Sequence, residues 1–147
     1  MNSIGRDRLL VSVALFAWMG VIFGFSSMHG ATEPNSLPLW KLIERKGAHV
    51  FEYFVLAGLA FHWLRLHAPG MRFRMLAILV VVFSLTYAFS DEFHQRFVPG
   101  REGKFSDVAI DAMGICLSIG IIVFLSAYRT RSDETKVFGS IRFPVRK

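Results

Sequence analysis

From Leu9 to Phe25 the chain carries no charged side chain at all. That run constrains the fold more than any other feature. A helix crossing the hydrocarbon core needs about 20 predominantly apolar residues, within a range of roughly 17–25. A soluble domain would need a polar stripe along such a run to face water, and this run has none. Three further stretches also read as spans: roughly Ala48 to Leu66, which contains His49, Glu52 and His62, Met75 to Phe89, and Val108 to Tyr128, which carries Asp111. Pro69-Gly70 and Pro99-Gly100 supply turn signals after the second and third. The expected fold is therefore an all-α membrane protein, a four-transmembrane-helix bundle with amphipathic interfacial segments. Its single domain is expected over residues 1–128, followed by a basic tail over 129–147.

The apolar share of 53% exceeds the roughly 45–50% of soluble domains, and the excess is gathered in those runs. The net charge of +6 raises the question of nucleic acid. The placement argues against it: Lys and Arg stand at the ends of the apolar runs, as membrane anchors do. No nucleic-acid partner is expected. The one cysteine, Cys116, excludes an intramolecular disulfide and reads as a small packing residue. Arg6 and Arg8 before the first run suggest a signal peptide. The run is longer than an h-region of about 7–15 residues, and residues 26–31 lack a small-x-small cleavage site, so an uncleaved span is expected.

Two connections are not plain linkers. Ser36 to Lys46 offers Ser36 as a helix cap, then Leu39, Trp40, Leu42 and Ile43 among charges, which suits an interfacial amphipathic helix. Asp91 to Ser106 mixes Phe93, Phe97, Val98 and Phe105 with charges, a composition for the headgroup level. Helix is expected to run on from the third span toward Phe97, until Pro99 disfavours it. The tail from Arg129 is expected to be poorly ordered.

An even number of spans puts both termini on one side. That side holds Arg6, Arg8, Arg65, Arg72, Arg74 and six Lys/Arg of the tail, so 11 against 6 on the other. The positive-inside rule then places both termini in the cytoplasm, with the tail deciding the count.

The ionisable residues gather at the opposite end. Lys46, His49, Glu52 and Tyr53 follow the three/four spacing of one helical face. So do Ser84, Tyr87, Asp91 and His94 on the third span, and Asp107, Asp111, Gly114 and Ser118 on the fourth. A carboxylate in the hydrocarbon costs about 2.5–3.5 kcal/mol on insertion scales, so these groups are expected to face inward and meet in one outward-opening pocket. Ser84, Ser118 and Gly114 read more simply as close-packing residues, and His62, beside Trp63, as interfacial. For Glu52, Asp91, His94, Asp107 and Asp111 the functional reading prevails, because helix packing alone does not require five such groups at one depth.

Three blocks carry a resemblance. Lys46-Gly47-Ala48-His49-Val50-Phe51-Glu52-Tyr53 is the first. Ser90-Asp91-Glu92-Phe93-His94-Gln95-Arg96-Phe97-Val98-Pro99-Gly100-Arg101 is the second, and Asp107-Val108 with Asp111 and Gly114 the third. In this order they resemble the VanZ-like family of bacterial membrane proteins, over roughly residues 25–120. Phe25-Ser26-Ser27 is also similar to that family, whereas Met28 stands where members often have Gln. The family is named for a protein linked to teicoplanin resistance, so the resemblance implies a role in the cell envelope. It names no reaction.

The expected chemistry follows from residue types. His49, Glu52, Asp91, His94, Asp107 and Asp111 are candidate acid–base groups. Lys46, Tyr53, Glu92, Gln95, Arg96 and Arg101 are candidate binding residues, the cations for a phosphate or other anion. The expected ligand is an envelope lipid, its headgroup or a lipid-linked precursor. A divalent metal held by His49, Glu52, Asp91, His94, Asp107 and Asp111 is a second reading, although no H-E-x-x-H motif is present. A proton-coupled transporter using Glu52 and Asp111 is a third, opposed by apolar inner halves such as Leu76–Phe83 and Ile119–Leu125. A non-catalytic scaffold or partner protein is a fourth.

Overall fold

In a computed structural model, residues 2–28, 38–101 and 103–140 are described. The expected cap Ser36 lies outside them. The described residues form four helices and no strand: α1 (Ser3–Ser26), α2 (Leu39–His67), α3 (Phe73–Gln95) and α4 (Phe105–Ser140). Most boundaries have a local cause. The Asn2 side chain accepts from the Gly5 N–H at 3.1 Å, satisfying a donor that a helix start leaves open. Pro69 disfavours helix at Ala68, and α2 stops at His67. Beyond α3, turn bonds run from the N–H of Arg96, Phe97 and Val98 to the carbonyls of Phe93, His94 and Gln95. Pro99 follows, and Gly100 reverses the chain at φ 74°, a conformation that favours glycine.

α1, α3 and the Phe105–Arg129 part of α4 are each long and apolar enough to cross a bilayer, at 24, 23 and 25 residues. At 1.5 Å per residue such helices reach about 35 Å, more than the roughly 30 Å hydrocarbon core. α2 is longer still, at 29 residues, but its charged and imidazole side chains dilute its hydropathy. The distribution of side chains is inverted relative to a water-soluble protein. Phe16, Ile78, Val82, Leu117 and Phe124 face outward, while His49, Asp91, Glu92, Gln95 and Asp111 are buried. Water would penalise both halves of that pattern; lipid favours both. The protein is an all-α membrane bundle.

α2 is the central helix. It touches the other three, α4 most extensively. Tyr53, Leu56, Ala57 and Phe61 of α2 pack with Val80 and Ala88 of α3, Val108 and Ile115 of α4, and Leu15 and Ile22 of α1. Gly114 lets α2 and α4 meet backbone to backbone: a Cβ there would collide with the Val50 carbonyl oxygen and lie 3.0 Å from the Phe54 nitrogen. α1 makes no contact with α4 among the described residues. It is held to α2 and α3 by polar rungs as well as by its apolar contacts. Trp63 Nε1 donates to Ser12 Oγ at 2.9 Å, Trp18 Nε1 to the Glu52 carbonyl at 2.9 Å, and the Tyr87 hydroxyl to the Met19 carbonyl at 2.7 Å.

Residues 39–46, read as a helix leading into the second span, form the first turns of α2, since no breaker divides them from it. Three details differ from the reading of the sequence. α3 ends at Gln95, short of Phe97, because the chain must turn before Pro99. α4 continues to Ser140, past the point where irregular chain was expected, since no proline interrupts it. Cys116 is exposed on the outer face and does not fill the core.

Candidate functional site

The start of α2, the end of α3 and the start of α4 meet at one end of the bundle, beside the end of α1. A cavity of about 270 Å³ opens there. Its polar wall is formed by Arg45, His49 and Glu52 of α2, Asp91 and Gln95 of α3, and Arg101 of the following turn. Ile22, Phe25 and Ser26 of α1, with Met28 just beyond its end, supply the rest of the lining, mostly apolar. The charges of His49, Asp91, Asp111 and Arg101 all act on Glu52. Gln95 Nε2 donates to Asp91 Oδ2 at 3.0 Å and to Glu92 Oε1 at 3.5 Å, so one amide orients two neighbouring carboxylates. Arg101 donates from Nε to the Met28 carbonyl at 3.1 Å and from Nη2 to the Phe25 carbonyl at 2.7 Å. Those carbonyls lie in the last turn of α1 and just beyond it, so Arg101 fastens the end of α1 to the site.

Behind the cavity wall, His49 Nδ1 lies 3.1 Å from Asp111 Oδ1. An ionised carboxylate only accepts, so the imidazole donates. Glu92 reaches the same place from α3, and its Oε2 accepts from the Lys104 backbone N–H at 3.0 Å. One ligand atom each from His49, Glu92 and Asp111 fall within 4.8 Å of one another. Three helices therefore bring an imidazole and two carboxylates to one buried point. The VanZ/LLP1 family model matches residues 11–126, which hold every one of these side chains. The chain belongs to the VanZ/LLP1 family. No curated relative and no solved structure matches it.

In this VanZ/LLP1 chain the remaining candidates from the sequence lie outside the cavity wall. Lys46 is exposed. The Arg96 guanidinium sits 4.2 Å above the Phe105 ring. His94 turns to α1, with Nε2 3.1 Å from Ser27 Oγ and its ring stacked on Phe23 at 4.7 Å. Asp107 is half-buried in the first turn of α4, where its charge acts on Glu92. Tyr53 is fully buried in the core, and its hydroxyl has no hydrogen-bond partner.

Arg45 gains a place that the sequence reading did not give it, and Glu92, expected as a binding residue, sits instead at the buried point shared with His49 and Asp111. Arg45 lines the cavity where Lys46 was expected; it precedes His49 by four residues, a spacing that also marks one face. Glu92 lies on the buried stripe of α3, Val80, Ser84, Ala88, Asp91, Glu92 and Gln95. Extending the four-residue step from Ser84 through Ala88 leads to Glu92, whereas the stripe through Tyr87 led to His94.

Proposed function

We propose that this chain binds the anionic headgroup of an envelope lipid at the outer leaflet of the bacterial inner membrane, with both termini in the cytoplasm. The observation that carries this reading is the composition of the cavity: the cations Arg45 and Arg101 line it together with apolar Ile22, Phe25 and Met28. A phosphate-headed amphiphile satisfies both kinds of lining, because a guanidinium matches phosphate oxygens and the apolar residues accept the first methylenes. The volume lies just under the roughly 300–1,000 Å³ of small-ligand pockets, so it suits a headgroup with its stem and not a whole lipid. His49, Glu52 and Asp91 on the wall suit acid–base modification of that headgroup or of a lipid-linked precursor. The excess of Lys and Arg on the side of the termini supports the orientation.

Native mass spectrometry tests the binding. Full-length protein released from vesicles of equal phosphatidylglycerol and phosphatidylethanolamine is expected to retain the anionic lipid. Arg45→Ala should weaken that retention roughly tenfold or more, as the loss of a charge-assisted hydrogen bond of about 1.5–3 kcal/mol implies. Equal retention of both lipids by the wild type would sink the reading. In cells, a deletion strain is expected to differ from its parent in lipid profile and in teicoplanin susceptibility, and Glu52→Gln should reproduce the deletion. A strain carrying Glu52→Gln that matches the parent in both would remove Glu52 from the function. For the orientation, a cysteine placed at Gly100 should be labelled from outside and one at Met71 should not; the reverse pattern inverts the topology.

A further inference from the structure

We infer that His49, Glu92 and Asp111 form a binding site for a divalent transition-metal ion of the zinc or manganese class, set behind the cavity wall. α2, α3 and α4 each supply one ligand, and the three ligand atoms lie within 4.8 Å of one another. An ion at the centre of such a triangle is within about 2.8 Å of each corner, so shifts of about 0.6–0.8 Å at most reach the roughly 2.0–2.2 Å of zinc–nitrogen and zinc–oxygen bonds. The donor set favours this class of ion. Magnesium and calcium take oxygen shells, whereas one imidazole with two carboxylates suits zinc or manganese.

A second observation points to a ligand. Asp111 is 1% exposed, and its Oδ2 accepts no hydrogen bond. A buried carboxylate oxygen without a partner is costly, and a cation is the partner this oxygen lacks. The surroundings hold the ligands in place, as outer groups do at metal sites. The Lys104 N–H and the Gln95 amide both bond Glu92. In the absence of the ion, the proton on His49 Nδ1 bridges to Asp111. The ion competes with that proton for the same atoms.

The test uses full-length protein in detergent, stripped with chelator and titrated with Zn²⁺ or Mn²⁺ alone, without added lipid. Calorimetry should give one ion per chain. Glu92→Gln and Asp111→Asn should each weaken binding more than about 100-fold, since even outer-shell changes typically cost about 10–100-fold. Glu44→Gln, on an exposed turn of α2, should leave it unchanged. No stoichiometric ion on the wild type, or unchanged binding in both Glu92→Gln and Asp111→Asn, overturns the site. Co²⁺ gives a readout that needs no variant. Visible absorption of a four- or five-coordinate nitrogen–oxygen site is expected, and the weak spectrum of the hexaaqua ion would overturn the proposal. Because no lipid is added, a failure here is distinct from a failure of headgroup binding.

Discussion

Gly114→Ala is expected to push α2 and α4 apart and to destabilise the bundle by about 1–3 kcal/mol or more, the range for overpacked interiors. The added carbon meets the backbone of α2 itself, at the Val50 carbonyl and the Phe54 nitrogen. Backbone cannot rotate out of the way as a side chain does, so the helices themselves must move. They would do so at the most extensive contact in the molecule, that between α2 and α4. Gly120 of the same helix has open space where a Cβ would stand, with nothing within 4 Å. Gly120→Ala should therefore be neutral or slightly stabilising through helix propensity. Thermal unfolding of the purified variants in one detergent compares them directly. Similar midpoints for the two would mean that the α2–α4 contact yields easily.

The second large effect is expected at Asp111, where two substitutions should separate folding from function. Asp111→Ala leaves His49 buried without its partner. Removing one member of a buried pair typically costs about 3–5 kcal/mol, so this variant should express poorly and unfold early. Asp111→Asn nearly preserves volume and keeps an oxygen that accepts from His49, so it should fold. It lacks the negative charge, however, and should match the deletion strain in lipid profile. Equal stability of the Ala and Asn variants would show that the pair contributes little to the fold. A parental lipid profile in the Asn variant would show that the charge is not needed.

The helices were legible because lipid imposes a simple rule. An unbroken apolar run has to be a span, and Pro69 and Pro99 mark where helices stop. Faces were legible for the same reason, since buried polar residues recur at three or four positions. Asp111, Gly114 and Ser118 share a stripe on paper and all face the interior of the bundle. The choice between adjacent residues was not legible. Arg45 and Lys46, or Asp91 and Glu92, differ by about 100° around a helix, and only the seating of neighbouring helices decides which of each pair lines the cavity. His94 was misplaced for a related reason. Its partners Phe23 and Ser27 lie on α1 and at its end, about seventy positions earlier in the chain, and no local spacing connects them.

The central place of α2 also bears on how the protein is made. α1 can leave the translocon for lipid as soon as it emerges, because nothing in its span objects to hydrocarbon. α2 follows with His49 and Glu52, and a charged group left unpaired in lipid costs about 2.5–3.5 kcal/mol. The residue that pairs with His49 is synthesised 62 positions later. The His49–Asp111 pair can therefore form only after α4 has been made, so the second helix reaches its final surroundings later than its place in the chain suggests.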